Sequence, residues 1–309
     1  MKTHVTGGAG FIGSNLVKLL LEKGHDVTVL DNFSSGYQTN LPDSQHVRIV
    51  TGDVRDSAAV ESAINEAEVV FHLAASVGNK RSIDRPIEDS QINVLGTLTV
   101  LEAARSANIR KIVYSSSAGI FGELKTLPIR EEHPVEPDTP YGASKLAGEK
   151  LCLAYAKLYD IEAVALRYFN VYGINQRYDA YGNVIPIFAH RIFHNQPIVI
   201  FGDGEQTRDF INVRDVVMAN YKAGMNRGVS GAFNLGSGAR ITINHLAKMM
   251  VDIAGTDTEI VHGAPRPGDV RHSLADISAA ADAFSFTPTI PLEDGLVNYL
   301  EWSRQETLR

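Results

Sequence analysis

The chain of 309 residues contains one cysteine, Cys152, which excludes an intramolecular disulfide and any paired-thiol chemistry. Its place inside a helical pattern makes it a small packing residue rather than a nucleophile. No uninterrupted apolar run is long enough to cross a bilayer. Residue 1 leads directly into a strand pattern with no room for a signal peptide, so a cytoplasmic protein with no membrane partner is expected. Basic blocks are missing too. The 29 lysines and arginines are scattered and outnumbered by 36 acidic residues, a formal net charge of -7, which argues against a nucleic-acid surface and for a small-molecule partner. There is no internal repeat, low-complexity tract or charged linker. A metal centre is not expected either. His190 and His194 are spaced for a ligand pair, but Arg191, Ile192 and Phe193 lie between them, without the glutamate of H-E-x-x-H and with a cation alongside, so they are read as surface histidines.

What is present is apolar material and an alternating rhythm. With 44% hydrophobic residues the chain can bury one large α/β core. Short β-rich runs at Thr3 to Thr6, Asp26 to Leu30, Val47 to Thr51, Val69 to Leu73, Lys111 to Ser115 and Ala163 to Arg167 are separated by amphipathic helical stretches, among them Ser14 to Lys23, Asn93 to Ser106 and Ser144 to Tyr159. Strands apolar almost throughout, each followed by a helix, predict a parallel sheet covered on both faces, the doubly wound Rossmann architecture. After Asn170 the rhythm breaks into loops (Tyr178 to Pro186, Gly202 to Arg208, Gly263 to Gly268) of the kind that shape binding sites. The expected division is a dinucleotide-binding domain over 1–169, with segments returning near 210–238, and a smaller C-terminal substrate-binding lobe from 170–209 and 239–309. Phe210 to Asn220, as strand then helix, and the strand Ala232 to Leu235 are predicted to return to the sheet.

Two motifs about 130 residues apart carry the chemistry. Thr6-Gly7-Gly8-Ala9-Gly10-Phe11-Ile12-Gly13 follows a strand and opens a helix. Gly7, Gly10 and Gly13 fit G-x-x-G-x-x-G, which lets the turn tighten, the backbone approach a pyrophosphate, and the helix aim its N-terminal amides at the phosphates. Asp31 ends the second strand, where its carboxylate can accept from both hydroxyls of an adenosine ribose and would repel a 2'-phosphate, favouring NAD over NADP. Asp53 and Val54 are placed to meet the adenine, and Leu73, Ala74 and Ala75 are small enough to lie beside the cofactor. The second motif, Tyr141-Gly142-Ala143-Ser144-Lys145, puts a phenol and an ammonium on one helix face. There the positive charge is expected to lower the tyrosine pKa and make it an acid/base. Ser115-Ser116-Ser117 ends a strand at the carboxyl edge of the sheet, where a serine hydroxyl can bridge the substrate oxygen and the tyrosine.

These segments, with Ser115-Ser116-Ser117-Ala118, resemble the extended short-chain dehydrogenase/reductase family. Leu166 through Gly173, Gly202 through Phe210 and Arg266 through Ser273 are similar to its nucleotide-sugar 4-epimerases. The resemblance implies that Ser117, Tyr141 and Lys145 are catalytic, Lys145 also holding the nicotinamide ribose. It implies a cofactor set of Gly7, Gly10, Phe11, Ile12, Gly13, Asp31, Asn32, Ser34, Ser35, Gly36, Asp53, Val54, Leu73, Ala74, Ala75, Ser115, Tyr141, Lys145 and Tyr168. For a UDP-sugar substrate it implies Ser117, Tyr141, Asn170, Val184, Val199, Phe201, Arg208, Arg266, Asp269 and Ser273, the two arginines clamping the diphosphate with forked donors. A homodimer through the helices Asn93 to Ser106 and Ser144 to Tyr159 is implied as well.

Within the family, dehydratases and glucuronate decarboxylases carry an acidic residue soon after the serine. Here Ala118-Gly119-Ile120 follows, leaving reversible oxidation at C4 as the simplest chemistry. Ser76 to Ser82 retains only the Arg-Ser of the Pro-Arg-Ser element of many relatives. Ser273 stands where a tyrosine would fill the sugar pocket, which leaves room for an N-acetyl group at C2. The alternatives are another nucleotide-sugar enzyme, a dehydratase or reductase, and a non-catalytic NAD-binding module, against which the retained Tyr-x-x-x-Lys pair argues.

Overall fold

Apolar runs too short for buried helices and flanked by helical stretches assemble into one sheet. The computed structural model describes residues 1–179, 182–265 and 270–307. Its strands are β1 (Lys2–Thr6), β2 (Asp26–Asp31), β3 (Val47–Thr51), β4 (Val69–His72), β5 (Lys111–Ser117), β6 (Glu162–Tyr168), β7 (Asn170–Tyr172), β8 (Ile198–Phe201), β9 (Thr207–Arg208), β10 (Phe210–Asn212), β11 (Gly231–Leu235), β12 (Ile241–Thr242) and β13 (Ile260–Gly263). Its helices are α1 (Phe11–Glu22), α2 (Ser57–Ile64), α3 (Asn79–Asp84), α4 (Pro86–Ser90), α5 (Thr97–Ser106), α6 (Pro140–Leu158), α7 (Val184–Phe193), α8 (Val213–Met225), α9 (Ile243–Ala254), α10 (Ser278–Phe284) and α11 (Leu292–Thr307). The main sheet has seven strands in the order β11-β6-β5-β4-β1-β2-β3, every pairing parallel.

The order reverses between β1 and β4, where Thr6 stands opposite His72. That is the switch point at which doubly wound sheets bind ligands. One face of the sheet packs on Leu16, Val17 and Leu20 of α1 and Val216, Val217 and Ala223 of α8. The other packs on Val60 and Ile64 of α2, Val100 and Leu101 of α5, and Cys152 of α6. Cys152 is fully buried and burial pushes its thiol up to about 12. A third core joins α7, β8, α9 and α11 through Phe188, Ile192, Ile200, Leu246, Met250, Leu296 and Leu300. Among the described residues no helix is long and apolar enough to cross a membrane.

The structure corrects four expectations. α1 starts at Phe11 rather than Ser14, because Gly10 turns the chain at an extended conformation and serves as the N-cap. α6 starts at Pro140 rather than Ser144. Thr139 accepts from Gly142 N and Pro140 occupies the first turn, where its missing N–H costs nothing, so Tyr141 lies in the opening turn. The helix expected from Asn93 begins as a π-helical turn, Gln91–Gly96, before α5. Last, Ala232 to Leu235 returns to the main sheet as part of β11, but Phe210 to Asn212 does not. β11 occupies the edge beside β6, so β10 pairs in parallel with β7 in a separate two-stranded sheet.

Candidate active site

The turn after β1 is shaped for close approach. Gly7 has φ 67°, and a Cβ on it would lie 2.7 Å from Ala74 N; one on Gly13 would lie 2.1 Å from the Gly7 carbonyl oxygen. Only glycine fits at either place. The N-terminus of α1 has no side-chain cap and no acidic residue in its first turn, so the amides of Phe11 and Ile12 suit an anion. This cradle fits the pyrophosphate of a dinucleotide.

Asp31 is buried at the end of β2. Its Oδ2 accepts from Ala9 N and its Oδ1 from Phe33 N, both at 2.8 Å, which fixes the carboxylate and leaves each oxygen a further acceptor site for a ribose. Asn32 and Ser34 are joined by a Ser34 N to Asn32 Oδ1 bond of 3.0 Å, and Ser35 is exposed beside them. Gly36 packs on Ala9, where a Cβ would come within 2.9 Å. Asp53 is engaged by two neighbours. Its Oδ1 accepts from Arg55 N and Nε and its Oδ2 from Arg55 Nη2 and Asn32 Nδ2, at 2.8 to 2.9 Å. Arg55 holds its carboxyl down at about 2, which keeps it an ionised acceptor at neutral pH. Val54 is buried against Gly96. Tyr168 is also engaged, its hydroxyl donating to Asn220 Oδ1 at 2.9 Å.

The proposed catalytic groups meet at the carboxyl edge of β5. Gly142 brings α6 so close that a Cβ there would lie 2.3 Å from Gly119 O, and one on Gly119 would lie 3.4 Å from Ser117 Oγ and 3.6 Å from Tyr141 Cε1. Ser117 Oγ accepts from Gly119 N at 3.1 Å, and Ser117 lies close enough to the Tyr141 phenol to favour its ionised form. Lys145 is buried, with Nζ donating to Ser115 Oγ at 3.5 Å and lying 4.5 Å from the Tyr114 ring centroid. The electrostatics correct the sequence reading. Burial raises the Tyr141 pKa, against a lowering by Ser117 and with a further rise from Asp89. Lys145, itself pushed down to about 8 by burial, turns its ammonium onto β5. Desolvation favours the neutral form of both groups and outweighs the i,i+4 spacing.

Sequence reasoning missed the polar scaffold underneath. Asn93, in the π-helical turn, accepts from Ser76 N at 2.8 Å and donates through Nδ2 to Ser76 O, Asp89 Oδ1 and Ser144 Oγ at 2.9 to 3.1 Å. All four residues are buried, so the loop after β4 is tied to the helix bearing Tyr141. Asp89 and Asn93, two polar residues four apart that are buried in an otherwise largely exposed stretch, leave no pattern that separates them from their solvated neighbours. Glu149 and Arg167 form a second buried unit. Arg167 donates to Glu149 from Nε at 3.1 Å and Nη2 at 2.7 Å, and Ser116 Oγ donates to Glu149 Oε2 at 2.7 Å.

His72 links the switch point to this scaffold. Thr6 Oγ1 accepts from Leu73 N and Ala74 N at 3.1 Å and donates to His72 Nδ1 at 2.7 Å. Thr97 gives its proton to Asn93 O, so His72 Nε2 donates to Thr97 Oγ1 at 3.0 Å, which fixes the neutral Nε2–H tautomer. Burial depresses His72 to about 3 and His4 to about 4. Since the unfolded state protonates below about 6.5 and the folded state does not, the stabilisation from these neutral histidines is complete above that pH and is lost as pH falls toward 4 and 3. The slope is roughly 1.4 kcal/mol per pH unit for each histidine. Urea denaturation between pH 7 and 4.5 should show it, and His4→Gln should flatten it; a wild-type stability flat over this range would contradict the assignment.

The second lobe contributes the remaining residues. Asn170 Nδ2 donates to Asp209 O at 3.0 Å. Val184 opens α7, Val199 and Phe201 lie on β8, and Phe201 is 37% exposed. Arg208 Nη1 donates to Thr207 O at 2.9 Å, and Ser273, buried, donates its N–H to the same carbonyl at 3.1 Å, which brings those two positions side by side. Arg266 and Asp269 lie outside the described residues. His190 stacks on Tyr178 at 3.9 Å and on His194 at 3.9 Å. Among the described residues no cluster of three or more His, Cys, Asp or Glu is arranged to hold a metal.

Comparison with known proteins agrees with this geometry. A UDP-glucose 4-epimerase of Mycolicibacterium smegmatis is 38% identical over 313 residues, covering 99% of this chain and 100% of that one. The solved UDP-N-acetylglucosamine 4-epimerase of Methanobrevibacter ruminantium, in complex with UDP-N-acetylmuramic acid, superposes with a TM-score of 0.95 at 36% identity, covering 99% of this chain and 98% of its own. The UDP-glucose 4-epimerase of Thermotoga maritima with UDP-glucose gives 0.95 at 37% identity over the full length of both. The NAD dependent epimerase/dehydratase family matches residues 3–236, and this chain belongs to it.

Proposed function

We propose that the protein interconverts the C4 epimers of a UDP-sugar, UDP-glucose with UDP-galactose or UDP-GlcNAc with UDP-GalNAc, through a transient 4-keto sugar. The observation that carries this reading is the meeting of Tyr141 and Ser117 over Gly119, with Lys145 one turn along the same helix against Ser115, and with Ala118–Ile120 and no carboxylate in the turn after the serine. A dehydratase or decarboxylase would want an acid there. Ser117 orients the C4 hydroxyl, and Tyr141 removes its proton and later returns it. Lys145, beside Ser115, holds the nicotinamide ribose and offers positive charge to the developing phenolate. Gly7, Gly10 and Gly13 would hold the pyrophosphate of NAD and Asp31 its ribose, and the bound cofactor would supply reversible hydride transfer at C4.

The lobe of 170–209 and 239–309 is read as the UDP-sugar lobe, with Asn170, Val184, Val199, Phe201, Arg208 and Ser273 lining it and 1–169 with 210–238 as the NAD-binding part. A cytoplasmic homodimer is the matching assembly. Val77, Ile83, Ile87 and Leu95 are exposed around α3, α4 and the π-helical turn, an apolar patch continuous with α5 and α6 that a second copy would cover. Incubation with UDP-glucose, UDP-GlcNAc and UDP-glucuronate, each analysed for its C4 epimer, tests the reaction; no epimer from any of them refutes it.

Ser273 sets the size expectation. A tyrosine there would fill the space a C2 acetamido group needs, and overpacking of this kind costs about 1–3 kcal/mol. Ser273→Tyr should therefore shift the ratio of kcat/KM for UDP-GlcNAc to UDP-glucose downward by about five- to a hundredfold. An unchanged ratio would place Ser273 outside the sugar pocket.

A further inference from the structure

Residues 174–177 lead out of β7 and grip the cofactor turn from outside. Asn15 Nδ2 on α1 donates to Ile174 O at 2.9 Å, and Asn175 Nδ2 donates to Ser14 Oγ at 2.9 Å. Arg177 then reaches the loop after β2. Its guanidinium lies 4.1 Å from the Tyr37 ring centroid, and Nη1 donates to Asn40 Oδ1 at 2.9 Å. The other edge of the fork faces α11, with Nε donating to Glu306 Oε2 at 2.9 Å, Nη2 lying 2.7 Å from the same oxygen, and Trp302 centred 5.7 Å away. Tyr37 and Asn40 are in turn fastened to the glycine turn, since Tyr37 N and Asn40 Nδ2 both donate to Ala9 O, at 3.1 and 2.9 Å. Ala9 N holds Asp31. A continuous line of polar contacts thus runs from α11 through Arg177 to the carboxylate proposed to hold the ribose.

The loop so held is otherwise anchored only along its inner edge, by bonds to Ala9, Asp31 and Asp53. Asn32, Ser34, Ser35 and Tyr37 are all exposed, and a segment with few buried apolar contacts opens at low cost. We propose that Arg177 is a positioning residue that latches the loop 32–40 to α11 and thereby sets how long a bound dinucleotide is retained. The inference rests on the cofactor reading of the glycine turn. Arg177 serves three partners with one planar fork, a ring face, an amide oxygen and a carboxylate, which a lysine cannot reproduce. The pair is only partly exposed, at 25% and 19% for the two side chains, so water screens it incompletely.

The experiment follows the dissociation of NADH, by its fluorescence, from wild type, Arg177→Lys and Arg177→Ala after a chase with excess NAD, alongside kcat at saturating NAD. A stacked cation and two charge-assisted bonds lost together should speed release from Arg177→Ala by about tenfold or more. Arg177→Lys should fall between, with kcat at saturating NAD changed by less than about twofold. Release from Arg177→Ala within about twofold of wild type, or a kcat at saturating NAD that falls as far as the affinity, overturns the latch. If Arg177→Ala does not fold, Tyr37→Leu and Glu306→Gln, each removing one contact of the fork, should speed release by about threefold, and unchanged rates in both overturn it equally. A wild type that retains no dinucleotide would instead overturn the cofactor reading of the turn.

Discussion

Tyr141→Phe is expected to keep its dinucleotide and to lose turnover by about 100-fold or more, the usual scale of a lost general acid/base. The ring would stay where it is, since its edge packs on Gly119 and its backbone N–H donates to Ser82 Oγ at 3.0 Å. Only the hydroxyl that meets Ser117 disappears. Because burial raises the phenol, the resting enzyme keeps that proton at neutral pH, and the substrate's C4 oxygen must be delivered to a protonated hydroxyl beside Ser117. Turnover and bound NAD measured on the same preparation separate chemistry from binding. Turnover within threefold of wild type would remove Tyr141 from the proton transfer.

The second large effect should fall on stability. Arg167→Met strands the Glu149 carboxylate, which is fully buried and otherwise shared between Arg167 and Ser116. An uncompensated buried charge costs about 3–5 kcal/mol. The double variant Glu149→Gln, Arg167→Met should recover most of that, since a neutral amide can still accept from Ser116 Oγ while the methionine fills the space over Phe121, whose ring now lies 5.2 Å from the guanidinium. Urea denaturation of the two single variants and the double gives the coupling. Additive losses would show that the pair does not act as a unit.

The main sheet was legible from the strand–helix alternation and from runs such as β4, Val-Val-Phe-His, which is buried at every residue and apolar at all but the last; β1 and β5 are buried nearly as fully while carrying Thr3, His4, Thr6, Lys111 and three serines. The glycine turn was legible because its pattern is local: Gly7, Gly10 and Gly13 recur every three residues, and a Cβ on Gly13 would strike the Gly7 carbonyl in the same turn, although the clash at Gly7 itself is with Ala74 at the next strand end. What was not legible depends on partners distant in the chain. Asn93 meets Ser144 fifty-one residues later, and Arg177 meets Asn40 at a separation of 137; neither leaves a period in the sequence. The return of Arg55 onto Asp53, two residues earlier, was not foreseen either, because a side-chain rotamer leaves no pattern in the sequence. The Tyr141–Lys145 spacing correctly placed both groups on one helix, but spacing carries no information about desolvation, which decides their protonation.

Cys152 offers a practical consequence. With its thiol sealed in the core and pushed up by burial, Cys152 offers an electrophile neither access nor a thiolate at neutral pH. The natural protein should therefore be silent toward maleimide dyes while folded. A pair of introduced cysteines, one in the exposed loop at Ser35 and one on the outer face of α11, would then be the only reactive positions. Donor and acceptor fluorophores there would report the distance between cofactor loop and C-terminal helix in single molecules, without first removing a native residue from the core.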